Sequence, residues 1–153
     1  MWCRVALALV LVPCAAGCGH DEPRIPPTCL DTDRAGYERA LRAAPGPVRL
    51  PGGTAISECL RRVRTDAELQ TLGTTLHGVA EDLALRARER DDVDAAARLG
   101  YLSGAVSAGA ARSAGISAEL ARRVQVAGSG LADVSPELAR ALRDGQDAGR
   151  ARG

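Results

Sequence analysis

The sequence predicts an all-α domain, a small bundle of about four to six helices closed by one disulfide. Three observations predict it. Leu69, Leu72, Leu76, Val79 and Leu83 recur at alternating spacings of three and four residues, an apolar stripe along one helix face. Helix start signals stand where a bundle needs them, at Thr65-x-x-Glu68 and Ser135-Pro136-Glu137. Cys29 and Cys59 form an even pair in the same stretch of chain.

The elements follow in order. A first helix is expected from Thr32 to Ala44, with Tyr37, Ala40, Leu41 and Ala44 on one face and Pro45-Gly46-Pro47 as the stop. Val48 to Ile56 reads as extended or turn-like, and Ser57 is expected to cap a short helix carrying Cys59, Leu60 and Val63. The long amphipathic helix starts at Thr65. Asp91-Asp92-Val93-Asp94 then supplies N-terminal caps for a helix rich in Ala and Gly up to Ala111. Within it Ala96, Gly100, Gly104 and Ala108 repeat every fourth residue, which lets a neighbouring backbone approach closely. Arg98, Ser103 and Ser107 make this stretch too polar to read as a membrane span. It reads as the central buried helix of the bundle. Gly115 is its left-handed stop, Ser117 caps a helix ending at Gly128, and Leu138, Ala141 and Leu142 form the apolar face of the last helix. The segment from Gly145 to Gly153 is Gly- and Arg-rich and is expected to fray.

The N-terminus reads as an export signal. Arg4 precedes the apolar run Val5–Val12, Pro13 ends the run, and small residues follow to Gly17. The run is shorter than the roughly 20 residues that span a bilayer. Ala15-Ala16-Gly17-Cys18 resembles a lipobox, with Ala15 in place of the usual Leu. Lipid on Cys18 would give a multi-chain membrane anchor, since each buried methylene contributes about 0.8 kcal/mol. In the alternative, cleavage after a small-x-small site leaves Cys18 unmodified and the protein secreted. The expected organisation is a lipoprotein signal peptide at 1–17, the lipidated Cys18 and a proline-rich linker at 18–28, a helical domain at 29–145 and a flexible tail at 146–153.

Five cysteines fit this order. Cys3 and Cys14 leave with the signal and Cys18 takes the lipid. Cys29 and Cys59 remain in an oxidising compartment and are predicted to pair. A zinc site is the weaker reading, because neither has a Cys or His neighbour at ligand spacing.

Composition narrows the partners. There is no Lys, and the 20 Arg stand against 19 acidic residues, so losing Arg4 with the signal leaves a neutral chain. Neutrality argues against nucleic acid, which needs a basic excess. Arg61-Arg62-Val63-Arg64 and Arg86-Ala87-Arg88-Glu89-Arg90 are each followed closely by acidic residues and read as solvated helix faces. Tyr37 and Tyr101 are the only aromatic residues after the signal, which disfavours base or sugar stacking.

The catalytic inventory is thin, and no catalytic, cofactor or metal residue is assigned. His77 is the one histidine inside the domain, with Glu81 four residues on. The pair could act as a general base, but an exposed or boundary histidine is the plainer reading. Histidine His20 falls in the linker. Asp91–Asp94 and Asp31-Thr32-Asp33 lack the ligand series of a calcium loop. Gly52-Gly53-Thr54 lacks the Gly-Lys ending of a phosphate loop.

Taken together, the signal with Cys18, the pair Cys29/Cys59 and the stretch from Leu99-Gly100-Tyr101-Leu102 to Gly115-Ile116 resemble lipoproteins of high-GC Gram-positive bacteria. The resemblance implies the extracytoplasmic face of the cell membrane and no site residue. The function expected is an interaction or structural module at the cell envelope, with the membrane and an envelope protein as partners. The alternatives are a small-ligand-binding lipoprotein and a hydrolytic or metal-dependent enzyme using His77.

Overall fold

A computed structural model describes residues 24–113, 115 and 117–153. The signal segment, Cys18 and His20 lie outside the described residues. The chain runs α1 (Pro27–Asp31), α2 (Arg34–Leu41), a 3-10 turn (Pro51–Gly53), α3 (Ile56–Arg62), α4 (Asp66–Arg90), α5 (Val93–Ala110), α6 (Ala118–Ala127), α7 (Leu131–Val134) and α8 (Pro136–Arg152). No strand occurs among the described residues, and the all-α class stands. No helix among them is long and apolar enough to cross a membrane.

Helix α5 is the centre of the bundle and touches α3, α4, α6 and α8. Leu99, Tyr101, Leu102, Ala105 and Val106 are all buried, so its surface is covered on several sides. Helix α4 supplies the other long wall through Leu72, Leu76, Val79 and Leu83. Its start carries the full capping box. The Thr65 hydroxyl accepts from the Glu68 amide at 3.2 Å, and the Glu68 carboxylate accepts from the Thr65 amide at 3.1 Å. The Glu68 carboxylate also takes the Arg64 amide at 2.8 Å, and these backbone donors hold it below the usual carboxylate range. Asp92 caps α5 by accepting from Ala95, and Ser135 caps α8 by accepting from Glu137 and Leu138.

The Cys29–Cys59 disulfide is present, with a Cα–Cα distance of 5.6 Å across a sequence separation of 30. It joins α1 to α3 and is buried at both ends. The two tyrosines lock the same region. The Tyr37 hydroxyl donates to the Cys29 carbonyl at 2.9 Å, and the Tyr101 hydroxyl accepts from the Val48 amide at 3.1 Å. Burial pushes the Tyr37 phenol well up from its ordinary value.

Four expectations need correction. The domain begins before residue 29: Ile25 is buried and α1 starts at Pro27. The helix expected at Thr32–Ala44 is shorter, Arg34–Leu41, because Asp33 adopts an extended backbone and its side chain accepts from Gly36 at 2.7 Å as a cap, and a separate α1 precedes it. Ser57 does not cap α3. That helix starts at Ile56, and the Ser57 hydroxyl donates to the Gly153 carbonyl instead; Ser117 likewise stands at the start of α6 without a side-chain cap bond.

The fourth correction is the largest. Residues 146–153 are the last turns of α8, packed along α5, rather than a flexible tail. Gly100 and Gly104 on α5 face Gly145 and Gly149 on α8. A Cβ at Gly100 or Gly104 would overlap the carbonyl oxygens of Leu142 or Gln146. A Cβ at Gly145 or Gly149 would overlap those of Ala97 or Tyr101. The two backbones touch, so glycines that weaken an isolated helix by about 1 kcal/mol each become the contact surface. The end of α8 is tied down by three further bonds. Arg152 donates to the Pro45 carbonyl at 2.8 Å, Arg49 donates to the Arg152 carbonyl at 3.0 Å, and Ser57 reaches Gly153.

Candidate functional site

One face of α4 is left open. Leu69, Gly73, His77 and Glu81 stand four residues apart and line up along that face. At 1.5 Å per residue the row is about 18 Å long. Helix α6 forms one wall with Glu119, Leu120 and Arg123, and Arg34 from the start of α2 closes another side. The groove they enclose has a volume of about 370 Å³.

Each wall has a local cause. Leu69 is only partly buried, packed against the core on one side and lining the groove on the other. Gly73 sets the width. A Cβ there would lie 3.6 Å from the Leu120 side chain, an ordinary contact, so no steric conflict demands glycine. Gly78 differs, because the Arg34 guanidinium occupies the space a Cβ would need. Arg34 thus lies flat on α4 and reaches Asp82 at 3.9 Å, a long exposed ion contact of little energetic weight.

The polar groups of the groove are unevenly partnered. Glu119 accepts from Arg122 twice, at 2.8 Å each, and from Arg123 Nε at 2.9 Å. Hydrogen bonds from these two guanidiniums hold its carboxyl down to about 2. Arg122, forked onto Glu119, is raised in turn. Arg123 therefore engages a single donor, while Arg34 makes no hydrogen bond among the described residues.

The structure brings His77 and Glu81 together, with His77 Nε2 at 3.3 Å from the carboxylate. His77 Nδ1 is buried and has no hydrogen-bond partner among the described residues. The His77 side chain is 39% exposed, which puts it at the boundary of the groove rather than in the core. The acidic segments do structural work: Asp33 and Asp92 cap α2 and α5, and Asp91 is the left-handed stop of α4 at φ 51°. No cluster of three or more His, Cys, Asp or Glu with metal-binding placement occurs among the described residues.

Arg34, Arg123, Glu119 and Gly73 were not singled out from the sequence. The arginines sit on other helices, and nothing local says that they converge on α4. Gly73 did carry a signal, a glycine in the middle of a strong helix, which it shares with Gly78. Comparison with known proteins leaves the groove to be read from its own residues: no protein-family model, no curated protein and no solved structure matches the chain.

Proposed function

We propose that this chain is a lipid-anchored module on the extracytoplasmic face of the cell membrane, and that it works by binding through the α4 groove. The observation that carries the binding reading is Gly73. It costs α4 about 1 kcal/mol of helix propensity relative to Ala, yet a methyl group would fit there. Its effect is to keep the groove wide. The location rests on the signal ending in Cys18, and the buried Cys29–Cys59 disulfide supports an oxidising compartment.

The hydrolase reading has less support. A His–carboxylate base needs its second ring nitrogen facing a substrate or nucleophile. Here Nε2 faces Glu81 and Nδ1 is buried.

Two measurements test the proposal. Cell fractionation compares the wild-type chain with Cys18→Ala. Retention of the first and release of the second supports the anchor, and equal release of both rejects it. A thermal-shift screen against small molecules then compares wild type with Gly73→Leu. Stabilisation that the leucine removes supports groove binding. Hits unaffected by Gly73→Leu place the binding elsewhere.

A further inference from the structure

The chain is neutral beyond its signal, but its charge is unevenly spread. Residues 39–64 hold six arginines against one acid, Glu58. The fold gathers several of these arginines with the end of α8. Arg39 and Arg42 stand three residues apart at the close of α2 and share one side of it. Arg152 donates to the Pro45 carbonyl and Arg49 donates to the Arg152 carbonyl, which brings α8 onto the loop that follows Arg42. Ser57 is bonded to Gly153, and Arg61 stands one turn beyond Ser57 on α3.

Arg39, Arg42, Arg49, Arg61 and Arg152 are all exposed, and none of them makes an ion pair among the described residues. Arg49 and Arg152 bond only neutral carbonyls. The acids nearest in sequence, Glu38 and Glu58, are engaged by Arg86 and Arg62. Past Arg61, Glu68 is taken up by the Arg64 and Thr65 amides. Asp31 and Asp33 share a shallow depression with Arg39 and oppose it, and a carboxylate at Gly153 opposes Arg152. Five arginines against these three leave the face positive, which favours an anionic partner.

The tether says which anion is at hand. Five residues separate Cys18 from Arg24, a length that spans at most about 22 Å. Helix α4 alone is about 37 Å long. A lipid on Cys18 therefore keeps the α1 side of the domain near the bilayer. Thr28 of α1 lines the same depression as Arg39 and Pro51, so the arginine face adjoins that side. Arginine forks fit phosphate oxygens, and a tether makes each such contact intramolecular, so individually weak contacts suffice.

We infer that this arginine face turns toward the bilayer and binds anionic phospholipid headgroups. This rests on the reading of Cys18 as the anchor and adds which face the anchored domain presents to the membrane.

The test uses the exported full chain carrying Cys18→Ser, so that binding is read without the lipid. Vesicles of phosphatidylcholine are compared with vesicles that also contain about 30% phosphatidylglycerol, by cosedimentation and amide chemical-shift mapping. Partition onto the charged vesicles is expected to be at least about tenfold stronger at low salt, and to be lost in about 0.5 M salt. The amides of residues 39–49 and 150–153 should respond most. The side chains of Arg39, Arg42 and Arg61 make no bond among the described residues. Arg39→Gln, Arg42→Gln and Arg61→Gln together should therefore weaken partition at least about fivefold at an unchanged thermal midpoint.

Equal partition onto both kinds of vesicle overturns the inference, as does a response centred on other residues or undiminished binding by the triple variant. If soluble polyphosphate shifts these amides and the charged vesicles do not, the partner is a dissolved polyanion and the inference is wrong. If the charged vesicles bind while fractionation of Cys18→Ala rejects the anchor, the arginine surface stands and the anchor falls.

Discussion

The seam between α5 and α8 and the open face of α4 both place glycines in the middle of long helices, for opposite reasons. In the seam Gly104 lies against the backbone around Gln146, and Gly149 against that around Tyr101, so a Cβ has nowhere to go. On α4 Gly73 looks into the groove, and a Cβ would meet only the Leu120 side chain at 3.6 Å. The same residue is a packing requirement in one place and a cost without steric cause in the other. The difference separates the part of the molecule built for stability from the part left open.

The comparison can be broken directly by making one substitution in both places. Gly104→Ala should destabilise by more than about 2 kcal/mol, because forcing α8 away outweighs the helix propensity gained. Thermal denaturation checks this, and an unchanged midpoint would mean the seam is looser than described. Gly104→Val should go further, beyond about 4 kcal/mol, in the range reserved for severe core disruption.

Next in size is the link between the two regions. The disulfide holds α1 to α3, and α3 packs on the central helix while α2, which follows α1, carries Arg34 to the groove. Replacing Cys29 and Cys59 together by Ala should cost about 3–4 kcal/mol for a loop of this length. Hydrogen exchange should rise first in α1 and α2, and last in α5 and α8. Uniform loosening would show that the seam does not stand on its own.

Gly73→Ala should raise stability by up to about 1 kcal/mol, the reverse sign of Gly104→Ala. Chemical denaturation resolves a change of that size, and a loss of stability there would remove the contrast between the two helices. The smallest effect concerns Glu119 at the groove wall. Its carboxyl titrates near 2 in the folded chain against an ordinary 4.5, so its contribution to stability is complete above about 4.5 and lost as pH falls through about 2. Carboxyl NMR should show the low midpoint in the wild-type chain. A double replacement of Arg122 and Arg123 by Ala should return it towards 4.5.

Much of the fold was legible because its signals are local. Thr65 with Glu68, Asp92 and Ser135 each satisfy free helix N–H groups within three residues of themselves, and the observed caps follow. The leucine stripe of α4 is a period, readable without knowing what covers it. The pairing of Cys29 with Cys59 followed from counting. The misread segments depend on distant partners. Gly145 and Gly149 look like helix breakers until Ala97 and Tyr101 are placed against them. Ser57 looks like a cap until Gly153 arrives beside it. The site was legible only as His77 with Glu81, one turn apart on a single helix.

What the sequence determined by itself was therefore the helical class, the main helix starts and the disulfide. Hydrogen-bonded caps and apolar periodicity act over one or two turns, and cysteine pairing here had one choice left. Tertiary structure decided the rest. It turned the glycines of α8 into a backbone contact with α5, and it brought Arg34 and Arg123 from two other helices to the open face of α4. Contacts of that kind depend on how helices cross, and no short stretch of residues encodes them.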